Sequence, residues 1–261
     1  MGISFYDILA KTNLSEKDRE YLREMYIRLK DEIDLLREVF NEISLKNKSI
    51  LDIGTGQGFA CKFLVDNSEN SLIITIDIDP LCLNRLRNVV GEKIERIIFI
   101  RGDASNMPFI TSDFFDIAIS HYTLSQISSN KIPAVLQEIR RVLKPNGLFI
   151  IVEGHGEGIL DEARMLTLQL EKIYEEIFGQ SETSFDTIIN AIRKIPGLEI
   201  ISMRKLNDGR LDPTVKDFAY FLLSNVKDEK LRKQISKIIK RGQKIGFREA
   251  PDYVAYVRKS P

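Results

Sequence analysis

The sequence predicts an α/β chain organised on an open, doubly wound sheet, and two features carry that expectation. Seven short apolar runs, rich in β-branched residues, recur along the chain with helical stretches between most of them. The runs are apolar along their length rather than alternating, which is the pattern of parallel strands covered by helices on both faces.

Taken in order, Ser15 caps a long amphipathic helix predicted over Glu16 to Ile43, with Leu22, Met25, Leu29, Ile33, Leu36 and Phe40 at helical spacing. Ser49 to Ile53 is the first strand and ends in a glycine cluster that opens a helix through Phe63 and Leu64. Leu72 to Asp77 is the second strand, and Asp79-Pro80 starts a helix over Leu81 to Val90. Arg96 to Ile100, Phe115 to Ser120 and Leu148 to Glu153 follow as strands three to five. The helix before strand five begins near Pro133 and stops at the turn Pro145-Asn146-Gly147. Beyond Glu153 the rhythm changes. Helices are predicted over Ile159 to Phe178, Ser184 to Ile195 and Val215 to Lys240, with strands at Leu198 to Arg204 and Tyr253 to Val257.

Composition narrows the function classes. The 261 residues fit one α/β domain with additions, and 43% hydrophobic content is enough to bury a core. Lys+Arg and Asp+Glu both number 38, so no global charge favours a nucleic acid or an anionic membrane. Cys61 and Cys82 form neither a disulfide framework nor a metal knuckle, and a reducing cytoplasm is the expected setting. The first twenty residues lack the pattern of a signal peptide, and no apolar run approaches the ~18 residues of a membrane span. A homo-oligomer is left open.

The most informative segment is Asp52-Ile53-Gly54-Thr55-Gly56-Gln57-Gly58. Glycines between a buried strand and a helix permit a tight turn and close backbone approach to a ligand. Dinucleotide-binding loops use glycines too, but their fingerprint places the third three positions after the second, where this chain has Phe59. Asp52 before the loop would repel a pyrophosphate and suits a cationic ligand.

With these residues in place, the chain resembles the class I S-adenosylmethionine-dependent methyltransferases, in particular the small-molecule and quinone-type group, from about Ser49 to Glu153. The resemblance implies a Rossmann-like, doubly wound seven-stranded sheet with helical cap elements. It implies an N-terminal helical cap over 1–45 and a methyltransferase domain over 46–261, with helical insertions at about 154–197 and 207–250. It implies S-adenosyl-L-methionine as cofactor. Asp52, Gly54, Thr55, Gly56 and Gly58 match the first motif; Asp77, followed by Ile78, matches the acidic residue that holds the ribose hydroxyls; Asp103 and Ala104 match the adenine contact. Read singly, Asp77 is also a helix cap and Asp103 a solvated loop carboxylate. The segment after strand four, Ser120-His121-Tyr122-Thr123, departs from the usual pattern and lacks the Pro-Pro-aromatic motif of enzymes that methylate nucleobase amino groups.

Methyl transfer from a sulfonium needs alignment and exclusion of water, and a base only when the acceptor carries a proton of high pKa. The two histidines, His121 and His155, fall just past strand ends, near Tyr122 and Glu153, so these four are the candidate catalytic residues. The plain alternative has His121 packing against cofactor and His155 in a loop. His121, His155 and Glu153 lack the tight spacing of a metal site, and no metal is expected. The N-terminal helix, with Tyr21 and Tyr26, would cover the cofactor, and Tyr174, Phe178, Phe218, Tyr220 and Phe221 would line the acceptor pocket or pack in the core. Lys230 to Arg241 is a basic amphipathic helix, read as a solvated face or as a contact for RNA or a membrane surface. The expected function is methyl transfer to a small-molecule acceptor. RNA or protein methylation and a non-catalytic regulatory subunit that binds the cofactor are the alternatives.

Overall fold

A computed structural model describes residues 15–155, 160–179, 182–212 and 215–261. The side chains of residues 17–22, and with them Tyr21 and Leu22, lie outside the described residues, as does Ile159. The first helix, α1 (Glu16–Val39), precedes β1 (Ser49–Ile53), α2 (Phe59–Asn67), β2 (Leu72–Asp77), α3 (Cys82–Val90), β3 (Ile97–Arg101) and β4 (Phe115–His121). Then come α4 (Ile132–Val142), β5 (Leu143–Gly154), α5 (Glu162–Phe178), α6 (Phe185–Ile192), β6 (Leu198–Lys205), α7 (Val215–Asn225), α8 (Glu229–Ile245) and β7 (Asp252–Lys259).

The seven strands form one sheet in the order β3-β2-β1-β4-β5-β7-β6. Strands β1 to β5 pair in parallel, but β7 runs antiparallel to both β5 and β6. The expectation of parallel strands therefore fails at β7. A strand buried on both faces has the same apolar composition whichever way it runs. The chain reverses between β1 and β4, so the carboxyl ends of these two strands flank the topological switch point where ligands of such sheets bind.

Successive strand residues serve opposite faces. Ile50, Ile73, Ile117, Ile119 and Val152 pack under Leu36, Phe40, Leu64 and Leu86 of the α1–α3 side. Leu51, Ile53, Ala118 and Phe149 pack under Leu136, Ile139, Ile188 and Ile189 of α4 and α6. A third cluster stands apart from the sheet, where Leu170, Leu222, Ile235 and Ile238 join α5, α7 and α8. Several boundaries differ from the sequence reading: α6 ends at Ile192 rather than Ile195, α8 runs on to Ile245 rather than Lys240, and β5 begins at Leu143, so that Pro145-Asn146-Gly147 lies inside the strand. Helix α1 ends at Val39 rather than Ile43, and the stretch from Val215 is two helices, broken at 226–228 where the Asp228 side chain caps α8 by accepting from Leu231 N.

Candidate functional site

The site is assembled from the carboxyl ends of the central strands. Gly54 leaves β1 with φ +82°, donates its N–H to Ile76 O at 2.9 Å, and would place a Cβ 2.0 Å from Thr123 Oγ1. Gly56 has φ +50°, and a Cβ there would meet nothing nearer than Gly54 O at 4.0 Å, so this part of the loop faces open space. Gly58 has φ +86° and leads directly into α2. At Gly56 the loop is thus bare backbone that a ligand can approach closely, whereas Gly54 packs against Thr123 and Gly58 against Leu86.

Beneath it lies a polar knot. Asp52 is fully buried; its Oδ2 accepts from Thr75 Oγ1 at 2.8 Å and from Cys61 Sγ at 3.1 Å, while Oδ1 has no partner. Burial pushes its carboxyl up to about 6. Thr55 is buried and shares a 2.6 Å hydrogen bond with Thr75. Asp52 and the Thr55 hydroxyl therefore brace the loop from inside, and their side chains do not reach the open edge.

Asp77 and Asp103 do reach it. Asp77, half-buried at the end of β2, accepts from Gly56 N at 3.0 Å and from Asp79 N at 2.9 Å, so one carboxylate ties the glycine loop to the β2 turn. Asp79, not Asp77, accepts from Leu81 N at the start of the next helical turn. Ile78 beside it is 67% exposed, an apolar side chain left uncovered at the strand edge. Asp103 Oδ1 accepts from Ser105 N and Oγ, which with the Lys131 ammonium 3.6 Å away keeps its carboxyl low. Ala104 follows, half-buried.

The candidate catalytic residues fall into two groups. His121, at the end of β4, lies under α1, with its Nε2 3.0 Å from Glu32 Oε2 and its ring 4.5 Å from that of Tyr122. Tyr122 has φ +52°, uncommon for a bulky residue, and burial, followed by the charge of Glu32, raises its phenol. Glu153, on β5, is 1% exposed; Oε1 accepts from Ser125 N at 3.2 Å and Oε2 has no partner, and burial pushes the carboxyl up to about 7. His155 stacks near Phe185 (5.4 Å) and Tyr253 (5.1 Å), and its Nε2 stands 3.9 Å from Asp186 rather than against Glu153. Phe185 belongs to the core cluster on the face opposite α1, so the two histidines do not share one pocket wall. Among the described residues, no group of three His, Cys, Asp or Glu side chains is placed to hold a metal.

Sequence reasoning missed Glu32, Arg210 and Asp252. Arg210, between β6 and α7, donates to Glu32 Oε1 at 2.8 Å and lies 3.5 Å from the Tyr122 hydroxyl and 3.7 Å from Asp252 Oδ2. The aromatic residues expected at the acceptor pocket cluster in the α5–α8 unit. Tyr174 contacts Phe178 and Phe218, and Phe178 stacks on Phe221 at 6.0 Å, with Phe178, Tyr220 and Phe221 exposed.

Residues 50–147 match the family described as "Methyltransferase domain". Over that segment the chain is similar to methyltransferases. It is 26% identical over 179 residues to the ubiquinone/menaquinone biosynthesis C-methyltransferase UbiE of Paracoccus denitrificans, a match covering 62% of this chain and 66%, just under two thirds, of that protein. It is 25% identical over 211 residues to a phthiotriol/phenolphthiotriol dimycocerosates methyltransferase of Mycobacterium leprae, covering 72% of this chain and 75% of the relative. Among solved structures, a cyclopropane-fatty-acyl-phospholipid synthase-like protein from Lactobacillus casei superposes with a TM-score of 0.67 over 94% of both chains at 16% identity, a likeness of fold. The family match runs from β1 to the turn inside β5. It therefore includes the glycine loop, Asp77 and Asp103, but neither Glu32 nor Arg210.

Proposed function

We propose that this protein is a methyltransferase that moves a methyl group from S-adenosylmethionine to a small organic acceptor. One observation carries the reading: the open face of Gly56 lies against Asp77, with an uncovered Ile78 beside it. That donor set fits an adenosyl sulfonium. Bare loop backbone admits the amino-acid end, Asp77 accepts from the ribose hydroxyls, Ile78 covers an adenine face and Asp103 accepts from the exocyclic amine. Asp52 adds negative potential beneath a cationic ligand through the loop it braces. When bound, the cofactor supplies an electrophilic methyl group with a good leaving group, and the chain supplies position and dryness.

His121 and Tyr122 lie on the α1 side and Glu153 and His155 on the α6 side of the reaction edge, where they orient the acceptor or take its proton. By their titles the named relatives are a C-methyltransferase of ubiquinone/menaquinone biosynthesis and a methyltransferase of phthiotriol/phenolphthiotriol dimycocerosates, which supports a small-molecule rather than a macromolecular acceptor. No helix among the described residues is long and apolar enough to cross a membrane. A second reading, a polyanionic acceptor such as RNA, draws on exposed Lys230, Lys233, Lys237, Lys240 and Lys244, which recur at three- and four-residue steps along α8.

Calorimetry with S-adenosylhomocysteine, followed by transfer of labelled methyl to a panel of demethylated quinols, malonyl thioesters and amines, tests the proposal. Micromolar binding and transfer to at least one panel member are expected. Absence of binding refutes the cofactor, and binding without transfer to any member favours the regulatory subunit.

A further inference from the structure

Glu32 is the anomaly of α1. Its neighbours Asp31, Asp34, Arg37 and Glu38 are solvated or half-solvated, whereas Glu32 is 2% exposed. A carboxylate is rarely enclosed unless it is paired. Arg210 satisfies Oε1 at 2.8 Å, and with that bond a structural ion pair between α1 and the β6–α7 segment would be complete. Oε2 is aimed elsewhere. It lies 3.0 Å from His121 Nε2, a short contact bent away from hydrogen-bond alignment, and these two atoms are both shut off from solvent with no other partner. Burial opposes ionisation of Glu32, yet the hydrogen bond and charge of His121, with Arg210 and Arg28, hold its carboxyl down at about 2.

We propose that Glu32 is a positioning residue for His121, fixing the imidazole with its Nε2–H toward α1 so that Nδ1 is the proton acceptor in methyl transfer. The proposal rests on the methyl-transfer reading above and narrows it: the acceptor is a compound that gives up a proton from oxygen, nitrogen or an activated carbon as it is methylated. A carboxylate that accepts from one ring nitrogen sets the tautomer and leaves the lone pair on the other. As the acceptor atom bonds to the methyl carbon, the carbon–sulfur electron pair leaves with the neutral thioether. The acceptor's proton passes to Nδ1, and the resulting imidazolium is stabilised by the ionised Glu32 before it returns the proton to water. His121 is the group in contact with the reacting proton, and Glu32 acts through it.

The chain has only two histidines, so the ring nitrogens can be assigned by long-range proton–nitrogen spectra of the wild type and of His155→Gln. At a pH where the ring is neutral, His121 is expected to carry its proton on Nε2 in the wild type and to become a tautomer mixture in Glu32→Gln. With the panel acceptor that the wild type methylates fastest, Glu32→Gln is expected to lower kcat about 100-fold. The acceptor KM and the affinity for S-adenosylhomocysteine should stay within about twofold, and Glu32→Asp should recover much of the loss. A purely structural role would move the melting temperature and leave the tautomer alone. An unchanged tautomer in Glu32→Gln, or a kcat equal to wild type, overturns the proposal while leaving the methyl-transfer reading intact. Should Glu32→Gln fail to fold, the wild-type spectrum alone carries the test: a neutral His121 with its proton on Nδ1 overturns the proposal. A wild type that binds no S-adenosylhomocysteine overturns the methyl-transfer reading, and this proposal with it.

Discussion

Replacing Glu153 by Gln is expected to make the protein more stable, and increasingly so as pH rises. The side chain is enclosed, with one oxygen held by Ser125 N and the other unpartnered, and burial places its carboxyl at about 7 against an ordinary value of 4.5. Because the folded value is the higher one, the stability contributed by protonated Glu153 is full below about pH 4.5 and is lost as pH rises to about 7. At about 1.4 kcal/mol per pH unit, the ionised side chain costs the fold about 3 kcal/mol above that range. Gln keeps an oxygen for Ser125 N and never ionises. Urea unfolding of both proteins from about pH 5 to about pH 8 should show the difference between them widening by about 2.5 kcal/mol in favour of the variant. Asp52 and Glu249, whose carboxyls burial also raises, are common to both proteins and cancel in that difference. Parallel stability profiles would refute the idea that Glu153 is held in an enclosed, uncompensated site.

Asp77→Asn should weaken S-adenosylhomocysteine about 10- to 100-fold by calorimetry, since one or two charge-assisted hydrogen bonds are lost, with little change in melting temperature. Gly54→Ala forces a Cβ into Thr123 at φ +82° and should cost about 3 kcal/mol of stability; adding Thr123→Ala should recover only the steric part, read from denaturant midpoints. Changing Lys233, Lys237 and Lys240 together to Gln should leave stability within about 0.5 kcal/mol and small-molecule turnover unchanged. A collapse of turnover in that triple variant would favour the polyanionic acceptor.

The sheet was legible because its central strands are buried on both faces, in such runs as Ile73-Ile74-Thr75-Ile76. What the runs do not encode is direction, so β7 was misread. The break between α7 and α8 was missed for a related reason. Leu222, Val226, Ile235 and Ile238 all face one cluster, and an apolar face can continue across a turn between two helices. Asp228 was the available signal, a capping residue inside an otherwise helical stretch. At the site, the loop glycines, Asp77 and Asp103 were readable because backbone strain and strand ends fix their positions. Their division of labour was not: that Asp52 and Thr55 brace the loop from within depends on Cys61 and Thr75, which no spacing connects to them.

Glu32 left a trace that periodicity exposes. It falls three residues after Leu29 and four before Leu36, inside the apolar stripe of α1, where a charge must find a buried partner. The identity of that partner could not be read, because His121, Arg210 and Asp252 come from three other segments and meet only when α1 and the β6–α7 connection fold over the sheet edge. Burying one carboxylate between them makes these additions mutually dependent: removing the charge of Glu32 takes from Arg210 its shortest carboxylate contact and leaves His121 without an orienting acceptor. On the proposed reading, the cofactor contacts are written locally, in strand ends and one loop inside residues 50–147. The residues that hold His121 in place, Glu32 and Arg210, come from outside that segment and are written across the chain.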